Sequence, residues 1–554
     1  MEDNRGINNP SADEKRSDDV QSQANLESLK EDPTKQDNND DEEPEYIEGI
    51  KRLLVVGTVT LAAFLMLLDS SIIVTAIPKI TDQFHSVADV GWYGSAFLVA
   101  SCSLQPLTGK FYTQFVSKYT FMAFLGVFEL GSLICGVAQS SNMLIVGRAV
   151  AGLGTSGLVN GALTILSAAV PLEIRAMYFG FMMSTIQLGV LLGPLIGGSL
   201  TQYTTWRWCF FINLPCGAVV VGILCLIRIP DNTAKTALKG TKLQILHSFD
   251  IPGFLLFAPS AIMCLLALQW GGTKYAWNSA TIIGLFCGSG VNFILFLLWE
   301  GRVGDRAMIP FSMLRQRTVW VSCLFMFFFY SGMMMWAYYL PIYFQTVRDA
   351  TPTLSGIYML PLIGTQIFGA MLSGVLISRI GYYLPWAVAA GALTSIASGL
   401  MSTFKADTST AKWVGYMLLG GFGRGIGMQT PLVAVQNSIK KEQTSTAMAI
   451  LVFTQTFGGS LFLSFADTDL TTNLKDGLKK FAPGVDVEAV LKAGATGFRS
   501  VVPAASVEGV ILAYDHAINY VFYITIGTSI ATFFLAWGMG WKSVKKAKVV
   551  KPEA

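Results

Sequence analysis

From residue 50 onward the chain is a succession of apolar stretches, each about as long as a bilayer is thick. Crossing a hydrocarbon core of about 30 Å takes roughly 20 apolar residues in a helix that rises about 1.5 Å per residue. Fourteen stretches meet this length, at 53–77, 90–108, 120–139, 143–168, 178–200, 209–228, 252–270, 280–299, 319–344, 355–377, 384–403, 413–435, 446–466 and 516–541. An open strand leaves its backbone groups unpaired in lipid, so each stretch is expected to be a helix. The expected fold class is an all-α polytopic membrane protein with 14 transmembrane helices. Composition fits, since 52% of the 554 residues are hydrophobic and 14% are charged, against about 25% charged in a soluble domain.

The remaining charge is unevenly placed. Residues 1–50 hold 16 acidic and five basic side chains, whereas the other 504 hold 20 acidic and 34 basic. The first 50 residues are too polar to form a core and read as a disordered, acidic cytoplasmic tail. Short cytoplasmic connections are enriched in Lys and Arg. With the N terminus inside, the inner short segments and the basic tail at 542–554 collect 21 such residues, among them Arg228, Lys235, Lys239, Lys242, Arg302 and Arg306, against six outside. Both termini are therefore expected in the cytoplasm, and the expected location is the plasma membrane, with the vacuolar membrane as alternative. The long outer connection 467–515 places Leu470, Leu474, Leu478 and Phe481 at helical spacing before Pro483-Gly484, and a short amphipathic helix pair is expected there. All eight cysteines fall in or beside the stretches without a CxxC pair, which points to neither a disulfide framework nor a zinc site.

Transporters are often built from internal repeats. Placing Pro78 of the first stretch on Pro341 of the ninth brings two sets of six into register, and Gly152-Leu153-Gly154 is then answered by Gly425-Ile426-Gly427. The expected organisation is an N-terminal six-helix half at 51–228, a linker with two inserted helices at 229–318, and a C-terminal six-helix half at 319–541. The symmetry fails at charge. Asp69 falls opposite Gly332 and Arg148 opposite Gly421, while the twelfth stretch carries Arg424 instead.

Four segments carry a resemblance to a known family. Leu68 to Ile80 resembles the first-span signature of the fourteen-span drug:proton antiporters of the major facilitator superfamily. Leu144 to Gly154 resembles the fourth-span motif, whose arginine, here Arg148, the family assigns to proton coupling. Gly189 to Gly198 resembles the fifth-span antiporter motif, and Trp206 to Pro215 is similar to the entrance of the sixth span. With Gly420 to Pro431 and Tyr514 to Ala517, the likeness covers nearly everything after residue 45. The loop from Gly109 to Lys118 departs from the superfamily pattern, keeping Lys110 and Lys118 but lacking the usual Asp, so it offers no carboxylate for a conformational latch there. The variant looks like the fungal branch, which includes efflux pumps for toxins such as aflatoxin and HC-toxin.

The resemblance implies proton-coupled efflux of amphipathic small organic compounds, either a fungal secondary metabolite or toxin, or xenobiotic drugs, or both. It implies no cofactor, because the proton gradient drives transport. The implied partners are the lipid bilayer, the small-molecule substrate and protons, with no nucleic acid, and the chain is expected to be a monomer. An uptake transporter or a non-transporting sensor on the same scaffold is the alternative.

An ionised side chain in the bilayer core costs at least about 2.5 kcal/mol, so those within the stretches need a reason to be there. Asp69 and Arg148 are the expected proton-coupling pair, with a purely structural ion pair as the competing explanation. Glu129 is a possible secondary ionisable site. Gly189, Gly193, Gly197 and the neighbouring Pro194 and Gly198 form the antiporter motif, read as a glycine face that slides and bends between the half-domains. The ninth stretch is dense in aromatic and thioether groups. Tyr330, Met334 and Tyr338 are taken from it as substrate-cavity candidates, suited to adaptable contact with bulky apolar ligands. Gln187, Gln366, Gln429, Gln436, Gln455 and Arg424 are the polar candidates for that cavity, although each can equally satisfy a buried backbone group.

Other classes find no support. Gly109-Lys110 is followed by Phe111 and lacks the upstream glycine of a phosphate-binding loop, and His85, His247 and His516 are scattered, without a clustered nucleophile and base. Neither ATP-driven pumping nor catalysis is expected, and no charged ring marks a channel filter.

Overall fold

The structure, a computed structural model, describes residues 46–84, 89–229, 249–272 and 274–545. The acidic tail up to residue 45, together with His85, Lys235, Lys239, Lys242, His247, Lys546, Lys548 and Lys551, lies outside the described residues. The long helices are α1 Gly49–Phe84, α2 Val90–Gln114, α3 Ser117–Gly136, α4 Ser141–Ala169, α5 Leu172–Tyr203, α6 Asn213–Leu226, α7 Ile251–Trp270, α8 Ala280–Val303, α9 Arg317–Thr346, α10 Leu360–Ile380, α11 Leu384–Met401, α12 Thr410–Gly427, α13 Thr444–Phe481 and α14 Val507–Gly538. Among the described residues, 12 helical stretches are long and apolar enough to cross a membrane. Neither α2 nor α12 is among them. Gln105, Lys110 and Gln114 dilute the apolar character of one, and Lys412, Arg424 and a series of glycines that of the other. Extended structure among the described residues is limited to two isolated bridges, Gly271 with Tyr275 and Tyr382 with Ser543.

Helix ends follow local chemistry. Ser140 and Ser279 accept the backbone N–H of Met143 and Ile282, each at 3.3 Å, and so cap the starts of α4 and α8. Gly381, with φ of 90°, ends α10 in the left-handed conformation that glycine adopts without strain. Proline sits well only in a first turn, and Pro361 and Pro431 accordingly begin new helices. The expected stretches 355–377 and 413–435 are thus each divided, into Pro352–Tyr358 with α10 and into α12 with Thr430–Gln436. The helix expected to stop at 466 runs on to Phe481, because Leu470, Leu474 and Leu478 keep packing against Val490 and Phe498 of the helix Val487–Val501 and against α14.

Helices α1 to α6 pack on one another, as do α9 to α14, while α8 pairs with α7 and α7 leans on α2 and α13. Lipid is as apolar as leucine, so close approach and dispersion hold such helices rather than exclusion from water. Gly131 and Gly154 show how close this is. A Cβ at either would stand 2.3 Å from Ala151 N or 2.4 Å from Phe128 N. The inserted pair α7–α8 is tied down by Asp250, whose carboxylate accepts from Gly253 N at 3.1 Å, Trp299 Nε1 at 2.7 Å and Met308 N at 2.8 Å. Lys110, expected in a loop, lies within α2 and donates to the Arg306 carbonyl at 3.1 Å, so joining α2 to the turn Gly304–Arg306 after α8.

Tyr46 lies near Arg175, which bonds Gln436, and the next residue, Asn437, donates to Ser543 O at 2.9 Å, so both described ends of the chain lie at one end of the helices, the terminal face. There Val544 N donates to Gly381 O at 2.8 Å. The two sets of helices also join at this face. Arg175 Nη1 donates to Gln436 Oε1 at 3.0 Å, Gln436 Nε2 donates to Ser167 Oγ at 2.7 Å, and Thr164 donates to Ser445 Oγ at 3.3 Å.

Candidate functional site

Asp69 lies midway along α1 and Arg148 in the first half of α4, with side chains 0% and 1% exposed. Arg148 Nη1 meets Asp69 Oδ2 at 2.5 Å, and its Nε donates to the Tyr93 carbonyl of α2 at 2.9 Å. The guanidinium carbon stands 4.4 Å from the Phe97 ring centre and 6.0 Å from that of Phe210. The other carboxylate oxygen, Asp69 Oδ1, accepts from Asn213 Nδ2 at 3.0 Å, and the same amide nitrogen donates to Ser132 Oγ at 3.0 Å. Residues from α1, α2, α3, α4 and α6 thus converge on one buried charge pair. Such a pair repays its desolvation only when its remaining donors and acceptors are also satisfied, and the carbonyl, amide and aromatic faces do this here.

Glu129, on α3, lies one turn before Ser132 and faces Gly217, where a Cβ would stand 2.0 Å from its Oε1. Both its carboxylate oxygens are buried without a hydrogen-bond partner among the described residues. It shares the α3–α6 seam with Asn213 and is not part of the charge pair. Arg424 is held differently. It donates to the carbonyls of Gly332 and, at 3.2 Å, Met333, and its guanidinium carbon lies 3.5 Å from the Trp336 ring centre. In the sequence alignment Gly332 is the residue opposite Asp69. A backbone carbonyl therefore meets this arginine where α1 offers a carboxylate to Arg148.

The glycine face of α5 is not the surface between the two sets of helices that the sequence reading expected. It lies on α1, its neighbour within the first set. A Cβ at Gly189, Gly193 or Gly197 would stand 2.8 Å from Phe64 O, 1.8 Å from Ser71 Oγ or 2.5 Å from Thr75 Oγ1. Ser71 Oγ donates to Gly189 O at 3.1 Å, two residues along from Asp69. Pro194 is exposed, and Gly198 has open space where a side chain would go. Contact with the second set comes earlier on α5, where Gly180 meets the Ala370 carbonyl and Ser184 donates to Ile367 O at 3.1 Å. Period-four glycines mark a close contact but do not say which neighbour makes it.

The cavity candidates separate into groups. Gln366 is buried with its amide 4.0 Å and 3.9 Å from the sulfurs of Met333 and Met428, beside Arg424. Gln455 is a neighbour of Tyr330, and Tyr330 and Met334 both press on Gly459 of α13. Gln429 donates to Ala370 O at 3.0 Å and Ser373 Oγ at 2.5 Å, so it fastens the end of α12 to α10. Gln187 is buried on α5, and Tyr338, one turn after Met334 on α9, is 52% exposed. The sequence reading named Asn213 only as part of a motif. A lone amide inside an apolar helix is itself a signal that it has a polar partner.

The chain belongs to the Major Facilitator Superfamily, whose family model matches residues 59–463. It is 54% identical over 512 residues to the efflux pump mlcE of Penicillium citrinum, covering 90% of this chain and 92% of that protein. It is 53% identical over 502 residues to the efflux pump mokI of Monascus pilosus, covering 89% and 92%. Efflux pump aflT of Aspergillus parasiticus is 41% identical over 503 residues, covering 90% and 98%. Among solved structures, the proton:xylose symporter XylE aligns with a TM-score of 0.60 at 13% identity, covering 90% of this chain and 97% of that one. The human organic anion transporter MFSD10 aligns with a TM-score of 0.55 at 15% identity, covering 86% and 99%. These likenesses establish the fold. The chain is a multi-pass membrane transporter with relatives named as efflux pumps.

Proposed function

We propose that the chain exports amphipathic small organic compounds, a fungal secondary metabolite or toxin or xenobiotic drugs, in exchange for protons. The observation that carries this reading is the Asp69–Arg148 pair, 2.5 Å apart and buried in helices of the membrane domain. A carboxylate beside a guanidinium stays ionised, and the same carboxylate takes a proton when the pair is drawn apart or opened to the proton-rich side. Binding of substrate and of proton then compete for one conformational cycle. Its relatives' names as efflux pumps support the outward direction.

In this reading α2 and α12 also cross the bilayer, which makes fourteen spans, six plus two plus six. The terminal face is cytoplasmic and the membrane is the plasma membrane, or the vacuolar one. Glu129 is the secondary ionisable site, and the group of Gln366, Tyr330, Met334, Gln455 and Arg424 borders the substrate cavity, with Gln187, Tyr338 and Gln429 as outlying positions. The protein works as a monomer.

The test is export of a panel of lipophilic dyes and fungal toxins by the purified full-length protein in liposomes with an imposed pH gradient. Asp69→Asn keeps the shape of the side chain but cannot exchange a proton, so it is expected to abolish gradient-driven export while inserting and folding normally. Wild-type export rates from Asp69→Asn refute the proposal. Export that is indifferent to a protonophore favours a non-coupled carrier, and the absence of any transport favours a sensor.

A further inference from the structure

Asn213 opens α6 just after the single turn Trp208–Phe211, which also sets Phe210 beside the Arg148 guanidinium. The residue is fully buried. The two oxygens of Asp69 are divided between two partners, Oδ2 to Arg148 and Oδ1 to the Asn213 amide, and the titratable groups within electrostatic reach of the carboxylate are Arg148, Glu129 and Cys135 of α3, and Cys209. The amide nitrogen is braced by a second bond to Ser132 Oγ at 3.0 Å. Its carbonyl oxygen, Oδ1, is buried and has no hydrogen-bond partner among the described residues.

We infer that Asn213 is a positioning residue for proton exchange at Asp69, an inference that rests on the antiport reading above. An ionised carboxylate only accepts hydrogen bonds, whereas a carboxylic acid also donates one, and a carboxamide is the side chain that offers both an N–H donor and a C=O acceptor. In the arrangement seen here Asn213 gives its N–H to the ionised form. When Asp69 takes a proton from water on the open side, an O–H bond forms on the carboxyl and the contact with Arg148 loosens. Rotation of the amide then brings its unpartnered Oδ1 to that new O–H. Release reverses both changes. Asn213 neither gains nor loses a proton, so it acts through Asp69 by offering each charge state a hydrogen-bond partner.

The test reads Asp69 directly and needs no substrate. Infrared titration of the purified full-length protein, with Asp69→Asn as the difference, isolates the carboxylic acid band of Asp69 and the pH at which half of it is lost. Asn213→Leu has similar bulk and no donor. Losing an N–H donor disfavours the ionised form, so the midpoint is expected to move up by about one to two pH units. Ser132→Ala unbraces the amide without removing it and is expected to move the midpoint the same way by less. A packing role predicts lowered thermal stability with the midpoint unmoved. A midpoint left in place in Asn213→Leu overturns the inference, as does one left in place in Ser132→Ala if the leucine variant does not fold. A wild-type protein with no titrating band that depends on Asp69 refutes the coupling reading itself, which is a different result from a normal wild-type titration that Asn213 does not influence.

Discussion

Arg148 does three things at once: it pairs with Asp69, donates to the Tyr93 carbonyl and lies over Phe97. Lysine can replace the charge but not the planar fork or the stacking. Arg148→Lys is therefore expected to slow dye export by about tenfold, a loss of roughly 1.4 kcal/mol in the limiting step. Arg148→Ala is expected to abolish export and to lower stability by about 3–5 kcal/mol, because it leaves Asp69 buried with only the Asn213 amide. Equal export and equal thermal stability of the two variants, measured side by side in liposomes and in detergent, contradict an electrostatic role. The pair was legible in the sequence because two ionisable residues inside apolar stretches each require a partner. The surroundings of Arg424 were not, since backbone carbonyls carry no residue type to read. Glu129 was singled out for the same reason as Asp69, but the sequence holds nothing to say that its neighbour is a glycine on α6 rather than an arginine.

At the level of helices, the antiporter glycines set the distance between α5 and α1 at the turn that holds Asp69. Gly193→Leu drives a branched side chain into Ser71 and the backbone of Ile72. Overpacking of this kind costs about 1–3 kcal/mol, and the displaced turn carries the Asp69 carboxylate with it. Loss of export together with a lower unfolding temperature is the expected outcome. Gly198→Ala, five residues along but facing open space, is expected to change neither. If Gly193→Leu exports normally, or if Gly198→Ala is equally damaging, the motif works in some way other than through this contact. Helix positions were readable because apolar length is a strong signal, but helix ends were less so. Hydropathy falls after residue 466 while the pattern of Leu470, Leu474 and Leu478 continues, and packing, not polarity, decides where α13 stops.

For the molecule as a whole, the hydrogen bonds that join the first six helices to the last six cluster toward the terminal face. The Thr164 and Ser445 hydroxyls, 3.3 Å apart, sit in that seam. Replacing both with cysteine brings two thiols within reach of a disulfide, which needs Cβ atoms about 3.5–4.5 Å apart. Oxidation of Thr164→Cys/Ser445→Cys is expected to stop export, and a thiol reductant to restore it. Full export by a quantitatively cross-linked protein shows that the seam need not open. Which helices face each other across the seam was not legible in the sequence, because Arg175, Ser167 and Gln436 are far apart in the chain, and Gln436, expected at the cavity, instead bridges the other two.

The cradle of Arg424 bears on what the transporter selects. Carbonyl oxygens and an indole ring do not titrate, and a guanidinium keeps its proton in proteins, so the positive charge at Arg424 is present at every stage of the cycle. At about 8 Å and an effective dielectric constant of about 20, one such charge repels a monocation by roughly 2 kcal/mol. If Arg424 borders the substrate cavity as proposed, neutral and weakly acidic amphiphiles are expected to be exported in preference to cationic dyes of similar size, and Arg424→Gln to narrow or reverse that order. Competition assays between matched neutral, anionic and cationic compounds measure this, and an unchanged order in a folded Arg424→Gln protein places the charge away from the ligand. A screen confined to cationic dyes would therefore look among the compounds this protein accepts least readily.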